Sequence, residues 1–409
     1  MTKETKEYIE LIKEYLNKNY KNNFREPVDG VLNHPFLVPG SSYSNQLWDW
    51  DSWLTGYALM GLENEESEEY QKGCVLDFLE HIDEEGRIPI LIQKNPSIFT
   101  IDKNYKSNIH KPCLAIHALE ISEHYHDVEW IRDYFDQILK FNSFYEKYQK
   151  DEESGLYFWI DDLAIGFDND PSVFYRPDSS TGAIYLNSLM YKELLSISKL
   201  AKLLGRKEEK EFLEKANSLK NAIRNECFDK IDGMFYSVDL SLRKVDPNEW
   251  LHQNHPRFWH SLPIKIKTWA CLLPLWAEIA TKEEADRVIK NYLNSEGLCS
   301  KYGIRSVAKN EKMFGNFDTG NPSCWLGPIW INANYFTYVG LRNYGYDDLA
   351  NDLAIKTINL LGKDIKENGE FHEYYHSETG EGIRGLGFQS WNFLVIRMIN
   401  DLTKNENIL

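Results

Sequence analysis

The chain has 409 residues, of which 42% are hydrophobic and 14% aromatic, so it can bury a large core and is not a disordered protein. Acidic residues outnumber basic residues by 63 to 46, and the formal charge of −17 argues against nucleic acid or an anionic membrane as partner. The N-terminus lacks the apolar segment of a secretory signal, and the longest apolar run, from Trp269, is too short to span a bilayer. We therefore expect a cytoplasmic protein.

The cysteines are scattered and include no C-x-x-C pair. Neither a zinc ribbon nor a disulfide framework is indicated, and most of them are expected to be small core residues. The six are Cys74, Cys113, Cys227, Cys271, Cys299 and Cys324.

Patterns with a period of 3.6 residues predict twelve helices. In chain order they lie near residues 5–20, 50–61, 66–82, 111–125, 128–148, 182–204, 207–225, 264–280, 282–293, 328–343, 346–363 and 389–402. Long connections rich in aromatic residues, Gly, Pro and Asp precede the even-numbered helices, whereas short turns follow them. This alternation favours six antiparallel hairpins in an inner and an outer ring, which is an all-α (α/α)6 barrel. No Pro/Gly-rich linker divides the chain, so residues 1–409 are predicted to form one domain.

The long connections have a predictable position in such a barrel. If the even-numbered helices form the inner ring, each long loop ends at the N-terminus of an inner helix, and all six loops gather at one mouth. Long loops are uncommon in compact folds unless they carry function. We therefore expect the functional site at this mouth.

The composition of these loops is typical of a site that binds a small carbohydrate. Aromatic rings pack on the C–H faces of a sugar, while Asp, Asn, Gln and Arg form hydrogen bonds with its hydroxyl groups. In the stretch LWDWDSW, Trp50 and Asp51 are expected to hold the non-reducing sugar, and Trp48 and Trp53 are equally compatible with a wall or a core position.

Hydrolysis of a glycosidic bond requires one carboxylic acid that protonates the leaving oxygen and one carboxylate that activates water or attacks carbon. The two groups must lie on opposite sides of the sugar. Loops three hairpins apart in a six-hairpin ring face each other. The third loop, residues 157–177, and the sixth loop, residues 369–391, are therefore predicted to supply the two carboxyl groups.

Several loop motifs together resemble the trehalase and processing α-glucosidase group, and most of all its compact bacterial members, the mannosylglycerate and glucosylglycerate hydrolases. They are WDWDSW, GFDNDPSVF, YGIRSV, WLGPIWINANYF, HEYYHSETGEG and GFQSW, in order between Trp48 and Trp391. The resemblance implies an (α/α)6 barrel that hydrolyses α-linked sugars with inversion and without a cofactor. It places the general acid at Asp168 and the general base at Glu373.

The environments of the two residues fit these roles. Phe167 and nearby aromatic residues are expected to raise the pKa of Asp168 by desolvation, so that it stays protonated. Glu373, beside Tyr374 and His376, is expected to lie in a more polar setting and to stay ionised. Two neighbours are alternatives: Asp170 for the acid and Glu370 for the base.

Further residues of the same loops are expected to bind the substrate. They are Trp48, Asp49, Trp50, Asp51, Lys111, Tyr175, Arg176, Trp325, Trp330, Tyr374, Tyr375, Gln389 and Trp391. Two positions differ from the family pattern, because Lys111 replaces a frequent Gln and Leu326 replaces a frequent Arg. Lys111 is expected to meet a sugar hydroxyl or an acidic group of the substrate.

The mouth loops also contain arginines and glycines with open roles. Arg176, Arg257, Arg305 and Arg384 are equally compatible with binding a carboxylate and with bracing the loops. Gly385 and Gly387 would allow the sixth loop to move as a lid.

A metal is not predicted. Asp161, Asp162, Asp168 and Asp170 suggest calcium but lack the register of an EF-hand. The histidines of the mouth loops show no metal-binding spacing and are read as polar wall residues; they are His110, His252, His255, His260, His372 and His376. Two other functional classes stay open: a sugar 2-epimerase, which uses paired histidines on the same barrel, and a saccharide-binding protein without catalysis.

Overall fold

The computed structural model describes residues 1–40, 43–62, 65–95, 108–243, 257–294, 296–317 and 323–406. Twelve α-helices lie in these ranges, one for each predicted helix. They are α1 (Lys3–Asn19), α2 (Asp49–Leu59), α3 (Glu68–Glu80), α4 (Leu114–Tyr125), α5 (Phe135–Tyr148), α6 (Ile184–Leu203), α7 (Glu209–Glu226), α8 (Leu273–Trp276), α9 (Lys282–Tyr292), α10 (Ile331–Asn343), α11 (Asp347–Asn368) and α12 (Val395–Glu406).

Three helices are shorter than predicted because their first turns are 3-10 helices. These turns cover Glu129–Tyr134 before α5, Trp269–Leu272 before α8 and Ser390–Leu394 before α12. Helix α8 differs most from its predicted span of 264–280. Pro274, which cannot donate a backbone hydrogen bond, lies at its first turn.

The even-numbered helices form a closed ring. Each contacts the next, from α2 through α4, α6, α8 and α10 to α12, and α12 with its preceding 3-10 turn contacts α2 again. The odd-numbered helices pack outside, with α3 on α4, α7 on α6, and α1 and α11 on each other and on α12. This arrangement is the predicted (α/α)6 barrel.

Burial distinguishes the two rings. Every residue of α2 except Tyr57 is buried, as expected for a helix surrounded by other helices. The outer helix α1 instead buries residues at helical spacing on one face, including Tyr8, Ile12 and Leu16. The inner ring therefore forms the core.

Short antiparallel strand pairs hold the long loops together. The strands are β1 (Phe24–Arg25), β2 (Phe36–Leu37), β3 (Leu47–Trp48), β4 (Leu91–Ile92), β5 (Thr181–Gly182), β6 (Phe228–Asp229), β7 (Met234–Phe235), β8 (Val238–Asp239), β9 (Leu262–Pro263), β10 (Tyr374–Tyr375) and β11 (Gly382–Arg384). Strand β1 pairs with β2, β3 with β4, β6 with β7, β10 with β11, and β8 with both β5 and β9. A bridge between Ile329 and Tyr375 connects the fifth loop to the sixth.

Two sequence expectations can be compared with the fold directly. All six cysteines are unpaired, and all but Cys299 are buried, which confirms them as core residues. Among the described residues, the helices are too short or too polar for any of them to cross a membrane.

A buried carboxylate connects two neighbouring inner helices. Glu193 of α6 accepts hydrogen bonds from the backbone N–H groups of Ala115 (2.8 Å) and Ile116 (3.0 Å) in the first turn of α4. Its side chain lies in the core, and burial raises its pKa to about 7. It occupies the place of a helix cap, where free N–H groups favour an anion.

We expect Glu193→Ala to lower the free energy of unfolding by about 2–5 kcal/mol, because it leaves two buried donors without an acceptor. Glu193→Gln keeps one acceptor oxygen and should cost less. Chemical denaturation of both variants measures the two losses. Equal stability of Glu193→Ala and the unsubstituted protein would show that the cap does not contribute.

Candidate active site

A cavity of about 460 Å³ opens where the long loops gather. Its wall consists of Pro39, Tyr43, Trp48, Trp50, Asp51, Ile90, Lys111, Asp162, Leu163, Ala164, Gly166, Asp168, Phe174, Ser323, Glu373, Phe388 and Trp391. These residues stand at or before the N-termini of α2, α4, α6, α10 and α12. The cavity therefore lies at the predicted mouth, on the axis of the inner ring.

The wall brings together both predicted catalytic residues, Asp168 and Glu373, from the third and sixth loops. Trp48, Trp50, Asp51, Lys111 and Trp391 also lie in it. The other predicted contacts, Asp49, Tyr175, Arg176, Trp325, Trp330, Tyr374, Tyr375 and Gln389, do not line it.

The floor of the cavity is the buried part of its wall that contains Trp50, Asp51 and Trp391. Asp51 lies there in the first turn of α2. Its side chain is buried and accepts a hydrogen bond from the Ser390 hydroxyl at 3.4 Å. Burial raises its pKa to about 8, and the negative charges of Asp49 and Asp168 raise it as well. The carboxyl group is therefore suited to hold a proton near neutral pH, and either to donate to or to accept from a sugar hydroxyl.

Glu373 lies immediately before β10, in the loop that leads into α12. It accepts a hydrogen bond of 3.4 Å from the Tyr43 hydroxyl through Oε2. Burial raises its pKa to about 8, and the charges of Asp51 and Asp168 add to this effect. Three carboxyl groups from three loops thus interact electrostatically in one cavity.

The expected polar setting of Glu373 is wrong. Tyr374 and Tyr375 point into the core and are fully buried, and His376 turns its Nδ1 toward the backbone N–H groups of Glu378 and Thr379. None of these neighbours solvates the carboxylate. Asp168, expected to be the desolvated group, is only half-buried.

Asp49 and Lys111 form a buried ion pair beside the floor. Lys111 Nζ lies 2.9 Å and 3.0 Å from the two carboxylate oxygens of Asp49, and the Lys111 backbone N–H donates to the same carboxylate at 2.9 Å. Both side chains are almost inaccessible, at 2% and 0% exposure. The acidic group that Lys111 meets is therefore Asp49 of its own chain.

Gly166 makes room for this lysine. It has a φ of +84°, and a Cβ atom on it would lie 2.5 Å from Lys111 Cε and 3.0 Å from Trp50 Cζ2. The loop that carries Asp168 consequently packs directly on the ion pair and on the tryptophan of the floor.

The alternative acid and base lie outside the cavity. Asp170 is buried, and its Oδ1 accepts hydrogen bonds from the Ser172 backbone N–H and hydroxyl, each at 2.8 Å. It shapes the turn after Asp168. Glu370 is exposed and does not line the wall.

Several predicted sugar contacts form a layer behind the wall. Trp325 and Trp330 are fully buried and stack in parallel with ring centroids 3.9 Å apart, and Tyr374 stacks on Trp330 at 4.6 Å. Tyr375 donates its hydroxyl to Asp364 at 2.7 Å. Gln389 is buried too and donates to the Tyr15 hydroxyl at 3.4 Å. These side chains support the wall rather than line it.

Tyr175 and Arg176 turn away from the cavity. Tyr175 is 88% exposed and has a φ of +60°. The Arg176 guanidinium pairs with Asp239 at 2.7 Å. Both residues follow a sharp change of chain direction that the sequence pattern does not reveal.

Two further arginines of the mouth loops brace those loops. Arg257 pairs with Glu153 at 2.7 Å, and Arg305 pairs with Glu378 at 2.8 Å. The positive charge of Arg384 lowers the pKa of Glu373, although Arg384 does not line the wall.

The predicted hinge glycine Gly385 has a packing role. A Cβ atom on it would lie 2.6 Å from Glu373 Cβ and 2.8 Å from Glu373 Oε2, so only glycine leaves room for this carboxylate. The lid motion of Gly385 and Gly387 stays a prediction.

The aspartates considered for calcium bind backbone or side-chain donors. Asp161 accepts from Asn108 at 2.9 Å, and Asp162 accepts from the Tyr175 backbone N–H at 3.0 Å.

His252 and His255 lie outside the described residues. No described histidine lines the wall.

Sequence reasoning missed several wall residues, chiefly Tyr43, Phe174 and Phe388. Tyr43 precedes the WDWDSW stretch by five residues and belongs to no motif. Its aromatic character was a weak signal, because the chain has 24 tyrosines.

Comparison with known proteins agrees with this geometry. The model of one family, described as the mannosylglycerate hydrolase MGH1-like glycoside hydrolase domain, matches residues 43–391. A probable mannosyl-oligosaccharide glucosidase of Schizosaccharomyces pombe is 26% identical over 70% of this chain, and the match spans 36% of that protein. A mannosylglycerate hydrolase of Thermus thermophilus is 33% identical over 32% of this chain and 28% of its own length. The chain thus spans well under half of these two curated relatives.

Solved structures share the fold. A GH63 mannosylglycerate hydrolase from Thermus thermophilus in complex with glucose superposes with a TM-score of 0.69, covering 95% of this chain and 98% of that chain at 19% identity. Neutral trehalase from Saccharomyces cerevisiae superposes with a TM-score of 0.62, covering 91% of this chain and 75% of that chain at 18% identity. The family match spans every loop that carries a wall residue from Tyr43 onward, and we conclude that the chain belongs to the mannosylglycerate hydrolase MGH1-like glycoside hydrolases.

Proposed function

We propose that the protein is an inverting glycoside hydrolase that cleaves an α-linked glucoside or mannoside of a small saccharide or a glycosyl-glycerate. The observation that carries the proposal is the presence of Asp168 and Glu373, from loops on opposite sides of the barrel mouth, in the wall of one cavity together with Asp51. The cytoplasmic location and the single domain over residues 1–409 stay predictions.

The floor of the cavity is suited to the non-reducing sugar. Trp50 and Trp391 stand edge to face with ring centroids 5.3 Å apart and offer apolar surface to a pyranose ring. The buried indole N–H of Trp391 has no hydrogen-bond partner among the described residues and would donate to a sugar hydroxyl. Asp51 would bind neighbouring hydroxyl groups.

In the proposed reaction Asp168 donates a proton to the glycosidic oxygen as the bond to the anomeric carbon breaks. Glu373 accepts a proton from the water that attacks the opposite face. Inversion requires about 6.5–9.5 Å between the two carboxyl groups, which leaves space for that water. The half-buried Asp168 lies nearer to solvent than the buried Glu373, as expected if the leaving group departs outward.

The protonation states of the three carboxyl groups are coupled. Because Asp51 and Asp168 each raise the pKa of Glu373, ionisation of Glu373 is easiest when the other two hold protons. One ionised base beside protonated partners is the distribution that acid–base hydrolysis needs.

Two other classes are weighed against this proposal. A sugar 2-epimerase would require paired histidines, and the described part of the wall contains none. A saccharide-binding protein without catalysis would gain nothing from placing Asp168 and Glu373 in one cavity, because their mutual repulsion destabilises the ionised forms.

We expect Asp168→Asn and Glu373→Gln each to lower kcat on an α-glycoside at least about a hundredfold. An α-glycosyl fluoride separates the two roles, because fluoride leaves without protonation. Asp168→Asn should keep most of its activity on the fluoride, whereas Glu373→Gln should lose it. Initial rates on both substrates measure this difference.

Asp170→Asn is the matched control, since Asp170 lies close to Asp168 in the chain but outside the cavity. It should leave kcat within about threefold of the unsubstituted protein, provided that the turn persists. The assignment fails if Asp170→Asn is as damaging as Asp168→Asn, or if the fluoride rescues Glu373→Gln instead.

The pH dependence of kcat/KM is expected to follow Glu373. A base with a pKa of about 8 in the free protein is ionised only as the pH rises through that value, so kcat/KM should increase with pH up to about 8. Asp51→Asn removes a negative charge and should shift this rising limb of the pH profile to lower pH. Tyr43→Phe removes the hydrogen bond that favours the carboxylate and should shift it to higher pH.

Profiles of kcat/KM against pH for the three proteins measure these shifts. Shifts in the same direction for both variants, or a limb that neither variant moves, would exclude Glu373 as the titrating group.

A further inference from the structure

We propose that the cavity selects glycosides with an uncharged leaving group and excludes those whose leaving group carries a carboxylate, such as glycerate, and that Asp162 determines this selectivity. The inference rests on the proposed function, because it assumes that the sugar occupies the floor of the cavity and that Asp168 meets the leaving oxygen. It narrows that function, because it removes glycosyl-glycerates from the substrates proposed above.

The depth of the carboxyl groups defines the two ends of the cavity. Asp51 and Glu373 are buried, with exposures of 7% and 6%, whereas Asp162 and Asp168 are half-buried. Asp162 accepts the backbone N–H of Tyr175, a residue that is 88% exposed, at 3.0 Å. Asp162 therefore lies toward solvent. A leaving group next to Asp168 therefore lies in the outer part of the cavity, whose wall includes Asp162.

Acidic groups outnumber basic groups in the described part of the wall. Asp51, Asp162, Asp168 and Glu373 all line it, and Lys111 is the one cation among its described residues. Lys111 offsets these groups only in part: its ammonium lies 2.9 Å from an oxygen of the buried Asp49 carboxylate, and its charge lowers the pKa of Asp51, which burial and neighbouring carboxylates still raise to about 8. An incoming carboxylate would add a further negative charge to a cluster whose members already repel one another.

Three of the four arginines that are candidates for binding a carboxylate are engaged in ion pairs with other residues, and the charge of the fourth, Arg384, acts on Glu373. Arg176 pairs with Asp239, Arg257 with Glu153, and Arg305 with Glu378. None of these three lines the wall, and Arg384 does not line it either. Among its described residues, the wall therefore offers a glycerate carboxylate no cation other than the Lys111 ammonium, which pairs with Asp49.

The test compares two substrates that share one sugar and differ in one group. The first is 2-O-α-glycosyl-glycerate, and the second is 2-O-α-glycosyl-glycerol, in which a hydroxymethyl group replaces the carboxylate. Both are prepared as glucosides and as mannosides. We expect kcat/KM for the glycerol compound to exceed that for the glycerate compound at least about tenfold at low ionic strength, and the ratio to decrease in high salt.

Asp162→Asn isolates the proposed determinant. Asparagine keeps an oxygen that can accept the Tyr175 backbone N–H, so the loop is expected to persist. The variant should lower the ratio at least about threefold by increasing kcat/KM on the glycerate compound. Asp178→Asn, which removes the same charge from an exposed residue outside the wall, should leave the ratio unchanged.

The possible results are separable. Equal or faster cleavage of the glycerate compound overturns the inference and leaves the hydrolase proposal standing. If neither compound is cleaved, the proposed function fails for these sugars, and calorimetric titration of the unsubstituted protein with both compounds still tests the selectivity. Tighter binding of the glycerol compound then supports the inference. Equal affinities, or no binding of either compound, overturn it.

Discussion

The repulsion between three carboxyl groups in one buried cavity is the interaction on which the site depends. Asp51 lies in the first turn of α2, Asp168 and Glu373 lie in the loops before α6 and α12, and the three are close enough to interact electrostatically. Burial makes each negative charge costly, and proximity makes the second charge costlier than the first. The cluster therefore retains protons that isolated carboxyl groups would lose.

The barrel contains features that make this cluster tolerable. Asp49 and Asp51 occupy the first turn of α2, where unpaired backbone N–H groups favour negative charge. Lys111, just before α4, neutralises Asp49, and its charge lowers the pKa of Asp51. Since each inner helix points its N-terminus toward the same mouth, the ring places several such helix ends around one cavity. The stacked layer behind the wall, including Trp325 and Trp330, is fully buried and supports it.

The arrangement of the helices was predictable from the sequence because long and short connections alternate along the chain. Long loops lead only into the inner helices, of which α2 is buried on nearly all sides, whereas the outer helix α1 is buried on one side. That pattern located the mouth, and the resemblance located Asp168 and Glu373. Neither the pattern nor the resemblance revealed which aromatic side chains face the cavity. Trp391 lines the wall while Trp330 lies behind it, a difference that depends on tertiary packing.

The electrostatic state of the site was the least predictable property. Local sequence suggested a polar setting for Glu373, but its neighbours turn into the core, and its pKa depends on Asp51, more than three hundred residues earlier in the chain. Proton NMR of an α-glycoside immediately after mixing with the protein tests the central claim most directly. The account predicts that the released sugar appears first as its β-anomer. Initial release of the α-anomer would mean retention of configuration and would contradict the roles of Asp168 and Glu373.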